Sequence, residues 1–329
     1  MKAERTCHLP PATFHFLPPS SVFRPPSFVI RPSSFIIPPM LLALLQTMRP
    51  KQWTKNAFIF AALVFDQQLF HLEPFLRTLA GFGLLCLLSS TVYLFNDLAD
   101  IERDRQHPIK RNRPLPSGRL KPGLALAAAI LLPAIALPLS FMLHINFGII
   151  ALIFLAKDLL YSFWLKNVVI IDVLVLAAGF VLRVGAGVVI ITVTRFSPWL
   201  YICMSLLALF LGFGKRRAEL KLLDIQAINS RAVLKQYTLA FLDELINLVS
   251  TAVVIAYSLY TFSAENLPKN HAMMLTIPFV LYGIFRYLYL IHVKDEGGAP
   301  DELLLTDRPL QIAIVLWGLS AVLILYLSR

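Results

Sequence analysis

Nine apolar, nearly uncharged stretches dominate this sequence, at about 56–72, 76–95, 124–143, 147–165, 168–191, 197–213, 239–262, 272–292 and 309–327. Each approaches the roughly 17–22 residues that an α-helix needs to cross a hydrocarbon core of about 30 Å, and few soluble folds produce so many. With 57% apolar and only 15% charged residues among 329, the chain reads as an all-α integral membrane protein with nine transmembrane helices.

A formal charge of +11 raises the question of nucleic acid, yet the bases sit in short connections between apolar stretches. They read as topology determinants and phosphate ligands, so the membrane is the expected partner and nucleic acid is not. Arg103, Arg105, Lys110, Arg111, Arg113, Arg119 and Lys121 lie between the second and third stretches, and Lys215, Arg216, Arg217, Lys221, Arg231 and Lys235 between the sixth and seventh. Their charge marks both connections as cytoplasmic, while those near His144 and Arg195 are poor in Lys and Arg. The alternation survives all nine stretches, with the N-terminus inside and the C-terminus outside a cell (inner or plasma) membrane. Cys7, Cys86 and Cys203 lack metal spacing and read as packing residues.

Residues 1–39 differ from the rest, being rich in Pro, Ser and Phe, with a tandem similarity from Pro19: PSSVFRP, PSFVIRP, SSFIIPP. So much proline excludes a spanning helix. Two readings compete: a disordered cytoplasmic tail, or a stretch upstream of a natural start at Met40 or Met48. The degenerate repeat, and the lack of a secretory signal's ordered regions, favour the second. Residues 40–329 form the transmembrane unit.

The chemistry-bearing segment is Asn96-Asp97-Leu98-Ala99-Asp100-Ile101-Glu102-Arg103-Asp104, directly after an apolar stretch. Asp97, Asp100 and Asp104 recur at three and four residues, so a continuing helix places them on one face. Three like charges there repel unless a cation lies between them. Hard oxygen donors suit Mg²⁺, which divides its coordination between carboxylates and substrate phosphates. Lys110 and Arg113 add a compact cation and a planar fork for the phosphate's other side, so metal and bases together imply a diphosphate ligand. A solvated juxtamembrane charge cluster would explain the bases, but not Asn followed by three aspartates in helical register.

Lys157, Asp158, Lys166, Asp172 and Arg183 lie in or beside apolar stretches. Each costs at least about 2.5–3.5 kcal/mol at the centre of a lipid-facing helix, so they face a polar cavity or pair with one another. Tyr161, between Lys157 and Lys166, can present its phenol to the same cavity. Snorkelling to the interface is the alternative for each, and the easiest account of Lys166. In Arg49-Pro50-Lys51-Gln52-Trp53-Thr54-Lys55-Asn56, interfacial anchoring and phosphate binding explain the pattern equally, with Lys55 the best ligand candidate. The acidic residues of the stretch from Lys294 to Arg308 read as a solvated loop.

The pattern Asn-Asp-x-x-Asp-x-x-x-Asp (Asn96 to Asp104), Arg-Pro-x-x-Ser-Gly (Arg113 to Gly118) and Tyr-Ser-x-x-Leu-Lys (Tyr161 to Lys166) resembles the UbiA superfamily of intramembrane transferases, over about residues 48–327. The resemblance implies nine transmembrane helices around a central cavity open to the cytoplasm and to lipid. Aromatic prenyltransferases of that superfamily carry a second aspartate motif after the sixth helix. Here Gly214-Lys215-Arg216-Arg217-Ala218-Glu219 stands instead. With Arg-Pro-x-Gln-Trp-x-Lys-Asn at 49–56 and Thr306-Asp307-Arg308-Pro309, the chain is most similar to the decaprenyl-phosphate phosphoribosyltransferase branch.

That branch implies phosphoribosyl diphosphate and polyprenyl phosphate as substrates. Mg²⁺ would be held by Asn96, Asp97, Asp100 and Asp104, with Asp97 and Asp100 catalytic. Lys110 and Arg113 would hold the diphosphate or the ribose 5-phosphate, Tyr93 and Tyr161 would meet the sugar, and Lys157, Lys166 and Arg183 would steer the lipid phosphate, with Lys55 nearby. The alternative is an aromatic prenyltransferase of quinone type using a prenyl diphosphate at the same aspartates. Intramembrane charges also mark transporters and lipid-binding scaffolds, but their sites usually lie near the midplane rather than at an aspartate ladder. Homo-oligomerisation stays open.

Overall fold

The computed structural model describes residues 39–327 apart from 109, 192, 194–196, 227–231, 265–266, 295–302 and 304–305, with backbone alone at 200, 222–226 and 232. The expectations for residues 1–38, Arg195, Arg231 and the acidic run at 295–302 fall outside these residues. Among the described residues there is no strand.

Helix α1 (Pro39–Met48) leads into a 3₁₀ helix (Pro50–Ile59) that passes into the short α2 (Phe60–Phe65). Then come α3 (Leu72–Ala99), α4 (Ile101–Gln106), α5 (Pro122–Leu143), α6 (Ile145–Phe163) and α7 (Ile171–Ile190). The chain continues through α8 (Pro198–Gln226), α9 (Leu239–Ser263), α10 (Ile277–His292) with a 3₁₀ turn (Ala272–Thr276) before it, and α11 (Arg308–Leu327). Among the described residues seven segments are long and apolar enough to cross a membrane: α3, α5, α6, α7, α9, α10 with its leading turn, and α11. The sixth apolar stretch lies on α8.

The first stretch departs from a plain spanning α-helix: it starts in the last residues of the 3₁₀ helix, continues through the six residues of α2 and ends where α3 begins. The 3₁₀ helix itself carries Lys51, Trp53 and Lys55 before its apolar end. It is pressed against α7 at Gly187, where a Cβ would stand 2.0 Å from the Ile59 carbonyl oxygen. Trp53 Nε1 ties its other side to α3 by donating to Ser90 Oγ at 3.1 Å.

Helix faces follow the rule for lipid, where association depends on close backbone approach. α5 buries Ala125, Ala129 and Ala136 and turns Leu126, Ile130, Leu131 and Ile135 outward. One apolar cluster, including Ile59, Leu63, Leu88, Phe154 and Ile190, joins the first stretch to α3, α6 and α7. A second, including Phe210, Leu242, Ile246 and Tyr287, joins α8, α9 and α10.

Two connections differ from their reading as loops. α8 runs on through Gln226, so Lys215, Arg216, Arg217 and Lys221 ride its last turns. Arg217 Nε donates to Asp243 Oδ1 on α9, and Arg216 to Glu219 one turn on, which holds those turns helical. Near the C-terminus, Asp307 Oδ1 accepts from the Leu310 amide at 2.9 Å, capping α11, and Asp307 Oδ2 accepts from Arg286 Nη2 at 2.8 Å. The guanidinium holds the Asp307 carboxyl below the usual carboxylate range. Asp307 is therefore a structural latch between α10 and α11 rather than a solvated charge.

Candidate active site

The aspartate ladder straddles a helix break. α3 ends at Ala99, Asp100 has φ −101° and ψ 5°, and α4 starts at Ile101. Amide bonds from Asp100 to the Asn96 carbonyl (3.0 Å) and from Asp104 to the Asp100 carbonyl (2.8 Å) carry the register across the break. Asp97 and Asp104 thus meet on one side, both buried. Asp100 turns to Arg103, three residues on, at 2.6 Å.

Buried carboxylates must be paired, and here arginines pair them. Arg113 Nη1 donates to Asp104 Oδ2 at 2.7 Å and to Asp97 Oδ1 at 3.3 Å. Arg49 Nη2 donates to Asp97 Oδ1 at 2.5 Å, and its guanidinium lies 4.8 Å from the centre of the Tyr93 ring. Arg49 reaches back to α3 because the chain turns there through the left-handed region, at φ 55°, between α1 and Pro50. Sequence reasoning gave that segment to anchoring or to Lys55 and missed Arg49. The signal was an arginine next to a helix-starting proline at the membrane edge.

Mg²⁺ typically takes one or two carboxylates together with substrate phosphate oxygens. Asp97 and Asp104, brought to one point by Arg113, are such a pair. Among the described residues no three His, Cys, Asp or Glu side chains converge as a ready-made metal cage. The donor set fits a cation that arrives with its own phosphate ligands.

A second, cationic pole lies deeper, between α6, α7 and the 3₁₀ helix. Arg183 is only 9% exposed. Its Nε donates to Asn56 Oδ1 at 2.8 Å and its Nη1 to the Gly179 carbonyl at 2.8 Å. The Phe154 and Phe180 rings stand 4.7 and 5.5 Å from the guanidinium. Asn56, fully buried, is oriented by donating to Cys86 Sγ and Ser89 Oγ, each at 3.3 Å. Lys157 Nζ donates to Asp158 Oδ1 and, at 3.5 Å, to the Val175 carbonyl. Tyr93, on α3 one turn before the aspartates, carries the Arg49 guanidinium over its ring.

Tyr161 goes elsewhere. Its hydroxyl accepts from Arg216 Nη2 at 3.0 Å, in a buried network where Arg216 Nε donates to Asp172 Oδ2 at 2.6 Å. Tyr237 donates to Asp172 Oδ1 at 2.8 Å and accepts from the Ile170 amide at 2.7 Å. Burial and the Asp172 carboxylate both push the Tyr237 phenol above its usual range, so it stays protonated. Lys55 is half-buried on the 3₁₀ helix beside Asn56, and Lys110 opens a 3₁₀ turn (Lys110–Asn112) just before Arg113. Lys166 sits in a 3₁₀ turn (Leu165–Asn167) beside the exposed rings of Phe163 and Trp164, surroundings that an interfacial cation takes. A separate apolar cavity of about 650 Å³, lined by Trp53, Gly83, Leu87 and Leu139, carries none of these charges.

The arrangement is compared with known proteins as follows. The family model described as UbiA prenyltransferase family matches residues 56–304. A decaprenyl-phosphate phosphoribosyltransferase from Corynebacterium glutamicum is 33% identical, over 86% of this chain and 87% of its own. One from Mycolicibacterium smegmatis is 32% identical, over 84% of this chain and 91% of its own. A solved UbiA homolog from Archaeoglobus fulgidus bound to GPP and Mg²⁺ has the same fold, with a TM-score of 0.64 at 18% identity over 86% of this chain and 99% of that one.

Proposed function

This chain belongs to the UbiA prenyltransferase family, and from that premise we propose that it transfers the 5-phosphoribosyl group of phosphoribosyl diphosphate to polyprenyl phosphate, releasing diphosphate. It is a multi-pass membrane transferase, and the aspartate end is proposed to face the cytoplasm.

The observation that carries this reading over an aromatic prenyltransferase is Arg216. It stands where the second aspartate motif of that branch is expected, it is 0% exposed, and it is committed to Asp172, Glu219 and Tyr161. One aspartate pole and one buried cationic pole remain, which suits a metal-bound diphosphate donor and an anionic acceptor.

Asn96, Asp97, Asp100 and Asp104 are the residues proposed to hold Mg²⁺, which when bound neutralises the departing diphosphate. Arg113 and Arg49, already on the buried carboxylates, are placed to pass a guanidinium to phosphate oxygens in the same neighbourhood. Lys157 and Arg183 receive the acceptor's phosphate, and Tyr93 contacts the sugar. An acceptor oxygen then bonds to the anomeric carbon of ribose as the bond to diphosphate breaks, and the diphosphate leaves with the electron pair. No protein nucleophile takes part.

The test is a radiolabel transfer assay on purified protein in detergent with Mg²⁺. One tube holds labelled phosphoribosyl diphosphate and polyprenyl phosphate, the other labelled prenyl diphosphate and 4-hydroxybenzoate. Magnesium-dependent label in lipid from the first tube alone is expected; an aromatic product from the second overturns the assignment.

A further inference from the structure

α7 carries three buried glycines, and two have a packing reason. At Gly187 an added Cβ would strike the Ile59 backbone, and at Gly185 it would stand 3.1 Å from the Tyr201 hydroxyl. Gly179 is different. A Cβ there would meet the tips of two cations, Lys157 Nζ at 3.1 Å and Arg183 Nη1 at 3.2 Å. Two positive heads therefore converge over bare backbone in the middle of a helix, where glycine is otherwise a poor choice.

The second observation concerns what those heads touch. The described hydrogen-bond partners and rings around Arg183 are all neutral: Asn56, the Gly179 carbonyl, Phe154 and Phe180. The nearby Asp158 carboxylate is shared with Lys157, so two buried cations face a single fixed anion.

We propose that Gly179 is a specificity-determining position whose bare Cα, between Lys157 and Arg183, forms a seat for a single phosphate monoester. Without a Cβ at 179 the two cation tips can stand close together over the helix backbone, an ammonium on one side and a guanidinium on the other, as one phosphate group requires. Both proposed substrates carry such a group, the lipid phosphate of the acceptor and the 5-phosphate of the donor. A side chain at 179 fills the seat and pushes the cations apart. The inference rests on the proposed transfer reaction for its substrates, but the seat itself can be tested without turnover.

The experiment uses full-length Gly179→Ala in detergent. Alanine is the better helix former, and the atoms that it meets are the far ends of flexible side chains, so folding is retained. The Michaelis constant is measured for each substrate, and inorganic phosphate is titrated in a thermal-shift assay. Loss of one charge-assisted contact predicts a rise of about tenfold in KM for one substrate, kcat within about threefold, and loss of the stabilisation by phosphate. A rise for polyprenyl phosphate assigns the seat to the lipid, and a rise for phosphoribosyl diphosphate assigns it to the ribose 5-phosphate; either supports the seat. Unchanged constants for both, with phosphate still stabilising the variant, overturn it. Should Gly179→Ala melt below the wild type, the phosphate titration on Lys157→Gln decides instead: lost stabilisation supports the seat, and retained stabilisation overturns it. Absence of transfer by the wild type sinks the proposed reaction alone, because the phosphate titration still decides the seat.

Discussion

Asp97 and Asp104 are buried acids locked to Arg113, and Asp97 also to Arg49, whereas the Asp100 carboxylate is 30% exposed and pairs with Arg103 within its own turn. A surface pair of this kind contributes about 0–1 kcal/mol. Asp100→Asn should therefore leave the melting temperature in detergent nearly unchanged. If Asp100 serves the metal-bound diphosphate as proposed, the same change lowers Mg²⁺-dependent transfer by about 100-fold or more. Retention of most turnover would remove Asp100 from the set. At this scale Asp97 and Asp104 were legible because their seven-residue separation keeps them on one side across the helix break, whereas Asp100, at the break, turns to Arg103 instead. Arg49 was not, because an arginine beside Trp53 at a membrane edge has the same composition as an anchor. Only the left-handed turn at Arg49 aims it at Asp97.

Among the elements, the 3₁₀ helix depends on one close approach. Gly187→Ala puts a methyl 2.0 Å from the Ile59 carbonyl oxygen, a backbone atom that can yield only if the whole segment shifts. Overpacking of this kind costs about 1–3 kcal/mol. Asn56 lies on the same segment and is the partner of Arg183 Nε, so the shift should also weaken substrate binding. Gly83→Ala is the control, since its Cβ would meet nothing within 4 Å. In the interior of α3 it should be neutral or stabilising by up to about 1 kcal/mol. Equal melting temperatures for the two variants would show that the approach to Ile59 is not tight. The sequence located this segment through its apolar run, but a 3₁₀ and an α-helix of ten residues differ too little in side-chain period to be told apart by pattern. The contact at its end is with a glycine over a hundred residues away, which no local pattern reveals. The same limit applied to α8, where a run of Lys and Arg after Gly214 looks solvated until Asp172 and Asp243 are seen to reach it.

At the scale of the transmembrane unit, a buried polar network accompanies the apolar packing between α6, α7 and α8. Arg216 from α8 reaches Asp172 at the start of α7 and Tyr161 on α6, and Tyr237 closes the network from the segment before α9. Breaking a buried pair by removing one partner costs about 3–5 kcal/mol, because the other charge is left without compensation. Arg216→Met should therefore destabilise strongly, leaving Asp172 with the Tyr237 hydroxyl and no cation. Glu219 also loses its partner, but at 23% side-chain exposure it can be hydrated. Adding Asp172→Leu removes the stranded charge, and the double variant should regain most of the loss, as buried pairs exchanged for apolar residues commonly do. Thermal unfolding of the two single variants and the double variant in detergent measures this coupling. Recovery of stability in the double variant would mean that an apolar pair holds α6, α7 and α8 together as well as the ion pair does. If Arg216→Met alone is as stable as the wild type, apolar packing joins these helices without help from the network.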